Sequence, residues 1–248
     1  MGSERAAQAE FGYCGVLQQL LDAGSVVGQT GERSGLGSLS TPNKLRAIRH
    51  LMLQHRPQAT LEIGMGLGGS CLCFAASHRD LGRAPAGQHI AVDPFESAIW
   101  DNAARLLLKE DGLGGYVEVC QERSHAVLPR LLAEARRFGL VYVDGSHLFE
   151  DVFVDFYYAA HLLPVSGIVA FDDSREPGVR QVLRFISANM GGVLRRVNLP
   201  AVHAAGGLAA RARFRAATLA GCQQLTAYVK TAQTDGQFRA WDARLRRF

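Results

Sequence analysis

Along the middle of the chain, short apolar runs closed by turn residues alternate with amphipathic stretches of helix length. The runs are ATLEI at 59–63, QHIAVD at 88–93, YVEVC at 116–120, FGLVYVD at 138–144 and SGIVAFDD at 166–173, and they read as five parallel strands. The intervening segments 69–80, 97–110, 124–136, 148–163 and 177–190 are long enough to be crossover helices. Strands that alternate with helices in this way predict an α/β fold with a doubly wound, mostly parallel sheet. Two later runs, GVLRRVNL at 192–199 and GLAARARF at 207–214, would close it at seven strands, with helices in the remaining tail.

Upstream, residues 4–23 read as a helix, and 24–42 as a Gly- and Ser-rich loop with too little apolar surface to pack, shaped like a lid. Pro42 suits the first turn of a second helix capped by Ser40 or Thr41, with Leu45, Ile48, Leu51 and Met52 along one face. The expected organisation is an N-terminal helix and loop extension over 1–39 and one α/β domain over 40–248.

The composition narrows the class without naming a chemistry. With 248 residues, 48% hydrophobic and 20% charged, the chain is neither disordered, collagen-like nor a disulfide scaffold. No apolar run reaches the roughly 18–20 residues of a membrane span, and MGSERAAQAE lacks a secretory apolar stretch, so a cytoplasmic protein with no membrane partner is expected. The five cysteines are odd in number and lack C-x-x-C spacing, which predicts reduced, mostly buried thiols. Nine Arg and one Lys face two Asp after residue 189, although the net charge is only +4. Few aromatics interleave with those arginines, so solvated helix faces explain them better than a nucleic-acid partner does.

In a doubly wound sheet, ligands bind beyond the carboxyl ends of the strands, so the residues ending strands carry the candidate chemistry. After the first strand comes Glu62-Ile63-Gly64-Met65-Gly66-Leu67-Gly68-Gly69-Ser70, a turn that opens a helix. Gly64, Gly66 and Gly68 permit φ > 0 and close backbone approach, and the helix N-terminus beyond suits a carboxylate or phosphate. The second strand ends in Asp93, 25 residues past Gly68, placed to accept hydrogen bonds from ribose hydroxyls. The fourth ends in Asp144-Gly145-Ser146-His147 and the fifth in Asp172-Asp173. Neighbouring strands lie about 4.8 Å apart, so these three carboxylates can converge on one ion. Oxygen ligands without Cys or clustered His point to Mg²⁺ or another divalent cation. His147 is a candidate base: unassisted proton transfer to an imidazole is uphill by roughly 5 kcal/mol from a phenol and roughly 12 from an alcohol, a gap a cation can narrow.

With an acidic residue followed by G-x-G-x-G, the chain over about 40–175 resembles class I S-adenosylmethionine-dependent methyltransferases. It is most similar in pattern to catechol-type and macrocin/mycinamicin-type sugar O-methyltransferases. The resemblance implies a Rossmann-like fold and S-adenosylmethionine as cofactor. It implies that Ser70 and the loop hold the methionine carboxylate, that Glu62 lines the methionine end, that Ser124 and His125 border the adenine, and that Ser40 belongs to a covering segment. It also implies Mg²⁺ on Asp144 and Asp172, with Asp173 where the catechol-type family has Asn, and a small hydroxylated acceptor deprotonated by His147.

Two other readings stand beside it. A nicotinamide-dependent dehydrogenase would share the glycine loop and Asp93, but the G-x-G-x-x-G spacing is missing and three acidic strand ends have no use there. An RNA-binding methyltransferase would use the basic tail. A homo-oligomer is left open. His78-Arg79-Asp80 offers the H-x-D of an iron oxygenase, but on a helix end rather than a β-barrel, and is set aside.

Overall fold

The structure, a computed structural model, describes residues 10–197, 199 and 224–233. The chain order is α1 (Gly15–Ala23), β1 (Ser25–Val27), β2 (Arg33–Gly35), α2 (Pro42–His55), β3 (Thr60–Ile63), α3 (Gly69–Asp80), β4 (His89–Val92), α4 (Ala103–Glu110), β5 (Val117–Cys120), α5 (Ser124–Ala133), β6 (Leu140–Val143), α6 (Phe149–Leu162), β7 (Ile168–Phe171), α7 (Pro177–Asn189), β8 (Leu194–Arg196) and β9 (Thr226–Lys230). Seven strands form one mostly parallel sheet in the order β5-β4-β3-β6-β7-β9-β8, the expected doubly wound α/β class. Among the described residues, no helix is long and apolar enough to cross a membrane.

By its contacts the chain forms two compact units, one from the residues up to Arg56 with Met65–Gln121, the other from Pro57–Gly64 with the residues from Glu122 on. In the first, β4 and β5 pair in parallel. The segment 24–42 departs from the expected loop. It contains the antiparallel hairpin β1–β2, and most of its few apolar side chains are used: Val26 is buried with Leu20, Leu67 and Ala103, Leu36 and Leu39 pack against that cluster, and Val27 is exposed. Helix α4 starts later than the periodicity predicts, because Asp101 and Asn102 take left-handed backbone at φ 48° and 54°. The hairpin turn is tied there: Thr30 donates to Asp101 Oδ2 through its N–H at 2.9 Å and its hydroxyl at 2.6 Å. Helix α1 is shorter than the expected 4–23, starting after a turn that closes from the Cys14 N–H to the Phe11 carbonyl.

In the second unit, β3, β6 and β7 are parallel and buried at all four positions each, as continuous apolar strands should be. Phe153, Phe156 and Phe185 fix α6 on α7 by edge contacts, the closest at 4.9 Å between ring centroids. The sheet's other edge differs from expectation. Strand β8 falls within the expected 192–199 run, but its antiparallel partner is β9, in a stretch expected to be helical. The expected strand at 207–214 lies outside the described residues. The sequence TAYVK conceals a strand because it ends in Lys230, which is buried. Its Nζ donates to the carbonyls of Ala160 and Leu163 at 2.7 and 2.8 Å, the negative end of α6, where a buried ammonium is satisfied.

Cys14, Cys71 and Cys73 are buried free thiols and Cys120 a half-buried one; Cys222 lies outside the described residues. Burial pushes the Cys14 thiol up to about 12, which keeps it protonated and unreactive.

Candidate active site

The glycine turn serves packing and ligand approach with different residues. Gly68, at φ 87°, lies so close to α4 that a Cβ would stand 2.6 Å from the Ala104 Cβ. At Gly64, in the other unit, a Cβ would meet the Asp144 carbonyl at 2.2 Å, so this glycine lets the ends of β3 and β6 come together. Gly66 is the open one: it has φ 51°, and the nearest atom to its Cβ position is the Ser38 carbonyl at 3.4 Å. Ser70 is buried in the first turn of α3, which holds no acidic residue and has no side-chain cap. An anionic group such as a methionine carboxylate fits that turn. Ser40 is buried just before α2 in the same unit, and Glu62 is buried on β3.

Asp93 does more than its spacing implies. Its Oδ2 accepts the N–H groups of Met65 and Gly66 at 3.0 and 2.8 Å, and its Oδ1 accepts that of Phe95 at 2.8 Å. A buried carboxylate thus anchors the glycine turn and caps the one that follows. Three of its roughly four lone-pair directions are filled, which leaves one for a further hydroxyl.

In the second unit the structure brings together part of the predicted acidic cluster. Asp172 is buried; its Oδ2 accepts the Tyr142 hydroxyl at 2.6 Å and its Oδ1 the Asp173 N–H at 2.7 Å. Asp173 has left-handed backbone at φ 42°, and its Oδ2 lies 3.1 Å from His147 Nε2. Asp144 is half-buried at the end of β6, its N–H bonded to the Ile63 carbonyl. Among the described residues, Asp144, Asp172 and Asp173 do not bring three oxygens within 4.8 Å of one another. The donor set is all oxygen, which fits a hard cation, and Mg²⁺ sites often use one or two carboxylates and complete the shell with water.

Ser124 opens α5 and His125 is exposed beside it. Ser124 hydrogen-bonds Asp155 of α6, a residue the sequence reading passed over. Burial, opposed by Ser124 and aided by Asp151, pushes the Asp155 carboxyl up to about 7. Gly178 was also missed: a Cβ there would stand 2.2 Å from the His147 carbonyl and 2.8 Å from the Phe149 nitrogen, so α7 buttresses the loop that carries His147. Tyr142 did leave a signal, a phenol within an apolar strand; Asp155 and Gly178 left none. His78 is buried, and burial, then His89, then Arg83, push its imidazole down to about 3, so it is neutral.

Residues 61–174 match the family model described as a methyltransferase domain. The match covers a little under half of the 248 residues. It contains all the candidate residues except Ser40. Among solved structures, the O-methyltransferase from Bacillus cereus in complex with SAH is 16% identical, with a TM-score of 0.61 over 78% of this chain and 87% of that one. The O-methyltransferase TomG of Streptomyces achromogenes, involved in tomaymycin synthesis and solved with SAM, is 19% identical, with a TM-score of 0.60 over 94% of this chain and all of that one. An SAH-bound methyltransferase of Podospora anserina is 17% identical, with a TM-score of 0.53 over 94% and 97% of the two chains. These likenesses show that the chain shares the fold of these structures. No curated protein sequence matches the chain.

Proposed function

We propose that this protein is an S-adenosylmethionine-dependent O-methyltransferase that uses a divalent cation, Mg²⁺ foremost, and methylates a hydroxyl of a small molecule, a sugar or aromatic unit of a natural product. The observation that carries the reading is the pairing of His147 with Asp173 beside the buried Asp172, all at the ends of β6 and β7. The O-methyltransferases among the similar folds favour oxygen as the acceptor.

S-adenosylmethionine supplies an electrophilic methyl group. The N-terminus of α3, with Ser70 and the Gly66 backbone, receives its carboxylate, Glu62 lines the methionine end, and Asp93 offers its remaining lone pair to the ribose. Ser124 and His125 border the adenine, and the hairpin with Ser40 covers the glycine turn. A divalent cation on Asp144 and Asp172 supplies Lewis acidity, which narrows the pKa gap between an acceptor hydroxyl and an imidazole. Asp173 accepts the Nε2–H of His147 and fixes the neutral tautomer, so Nδ1 is the nitrogen that takes the acceptor proton. This division of labour gives Asp173 to the base and leaves two carboxylates for the ion.

The test is transfer of a labelled methyl group from S-adenosylmethionine to a panel of hydroxylated sugars and phenols. EDTA should abolish turnover and Mg²⁺ restore it, and His147→Ala should lower kcat by about 10² to 10⁴, the range for loss of a general base. Full turnover in EDTA would remove the cation from the reading, and methylation confined to nitrogen acceptors would overturn it.

A further inference from the structure

We propose that Tyr142 is a positioning residue of the methyl-transfer site, holding the Asp172 carboxylate in the orientation in which it meets the divalent cation. The proposal rests on the reading of Asp172 given above. Tyr142 is wholly buried on β6, and a buried phenol must place its hydroxyl on an acceptor. Across the parallel pair it stands opposite Ala170, and Asp172 is two residues further along β7, on the same face. The small Ala170 leaves the ring a diagonal path to that carboxylate, and the 2.6 Å bond to Oδ2 is short, as expected for a donor facing a carboxylate.

The second donor makes the arrangement an orienting one. The Asp173 N–H holds Oδ1 at 2.7 Å while Tyr142 holds Oδ2, so the carboxylate is gripped at both oxygens and cannot turn about its Cβ–Cγ bond without losing one of them. Mg²⁺ demands near-ideal octahedral geometry, so a ligand fixed in advance binds it better than one that must be ordered first. Partners that hold metal ligands in this way are typically worth 10- to 100-fold in metal affinity. A phenylalanine would fill the same space and supply none of this.

Mn²⁺ is titrated into the full chain, with free ion read by electron paramagnetic resonance, for wild type, Tyr142→Phe, Asp172→Ala and the double variant. Wild type should bind the ion, Tyr142→Phe should weaken binding about 10- to 100-fold, and adding it to Asp172→Ala should cause no further loss. Wild-type affinity in Tyr142→Phe beside a weakened Asp172→Ala overturns the role of Tyr142 alone, as do additive losses in the double variant. If wild type binds no Mn²⁺, the cation reading and this proposal fall together. Should Tyr142→Phe not fold, wild type labelled with ¹³C at tyrosine Cζ decides: saturating Mg²⁺ should shift a signal among the six tyrosines, and six unmoved signals overturn the proposal.

Discussion

Asp93 shows how a single side chain can be legible in position and only partly legible in role. Its place at the end of β4 follows from the strand pattern, yet its bonds to Met65 and Gly66 come from a turn 27 and 28 residues earlier, which spacing cannot reveal. Asp155 was invisible for a related reason, because an acidic residue on a helix reads as solvated until the helix is packed. Its carboxyl sits near 7 in the fold against an ordinary 3.8, with burial the largest cause. Between about pH 4 and 7 the folded state therefore keeps a proton that the unfolded chain has released, so stability falls as pH rises through that window. The penalty is complete above pH 7 and is on the order of 4 kcal/mol at 1.36 kcal/mol per pKa unit. Asp155→Asn keeps an acceptor for Ser124 and removes the charge. It should be more stable than wild type in urea at pH 8, with the gain vanishing toward pH 4; a difference unchanged across that range would place the carboxyl near its ordinary value.

Regular elements were legible where a segment's own pattern determines its state, and lost where a distant partner does. The five central strands each appear within the expected bounds, four of them as fully buried runs and β5 as a half-buried one. Strand β9 is set by Lys230 reaching the end of α6, and the β1–β2 hairpin by a handful of apolar residues that find Leu67 and Ala103 beside the neighbouring Leu20; Ala160, Leu163, Leu67 and Ala103 are all distant in sequence. The contact of α7 with the 147–149 backbone is of the same kind and carries a prediction. Gly178→Ala places a methyl group 2.2 Å from the His147 carbonyl, inside any allowed contact, so the loop or the helix must shift. A displacement of even about 1 Å at a catalytic group can cost 10²-fold. The variant should remain folded by circular dichroism, with kcat reduced 10- to 100-fold and S-adenosylmethionine affinity little changed. Unaltered kcat would show that the buttress is dispensable.

Across the molecule, the candidate chemistry stands at strand ends, as a doubly wound sheet requires: Asp93 after β4, Asp144 and His147 after β6, Asp172 and Asp173 after β7. The segment 61–174, which matches the methyltransferase-domain model, carries each of them. The glycine turn and Asp93 would serve a nicotinamide dinucleotide as well as S-adenosylmethionine, so donor binding separates the two chemistries most directly. Isothermal titration of S-adenosylmethionine into the wild-type protein, with NAD⁺ titrated in parallel, measures it. Saturable one-to-one binding of S-adenosylmethionine with no heat from NAD⁺ is the expected result. Tight binding of NAD⁺ with none of S-adenosylmethionine would contradict the account.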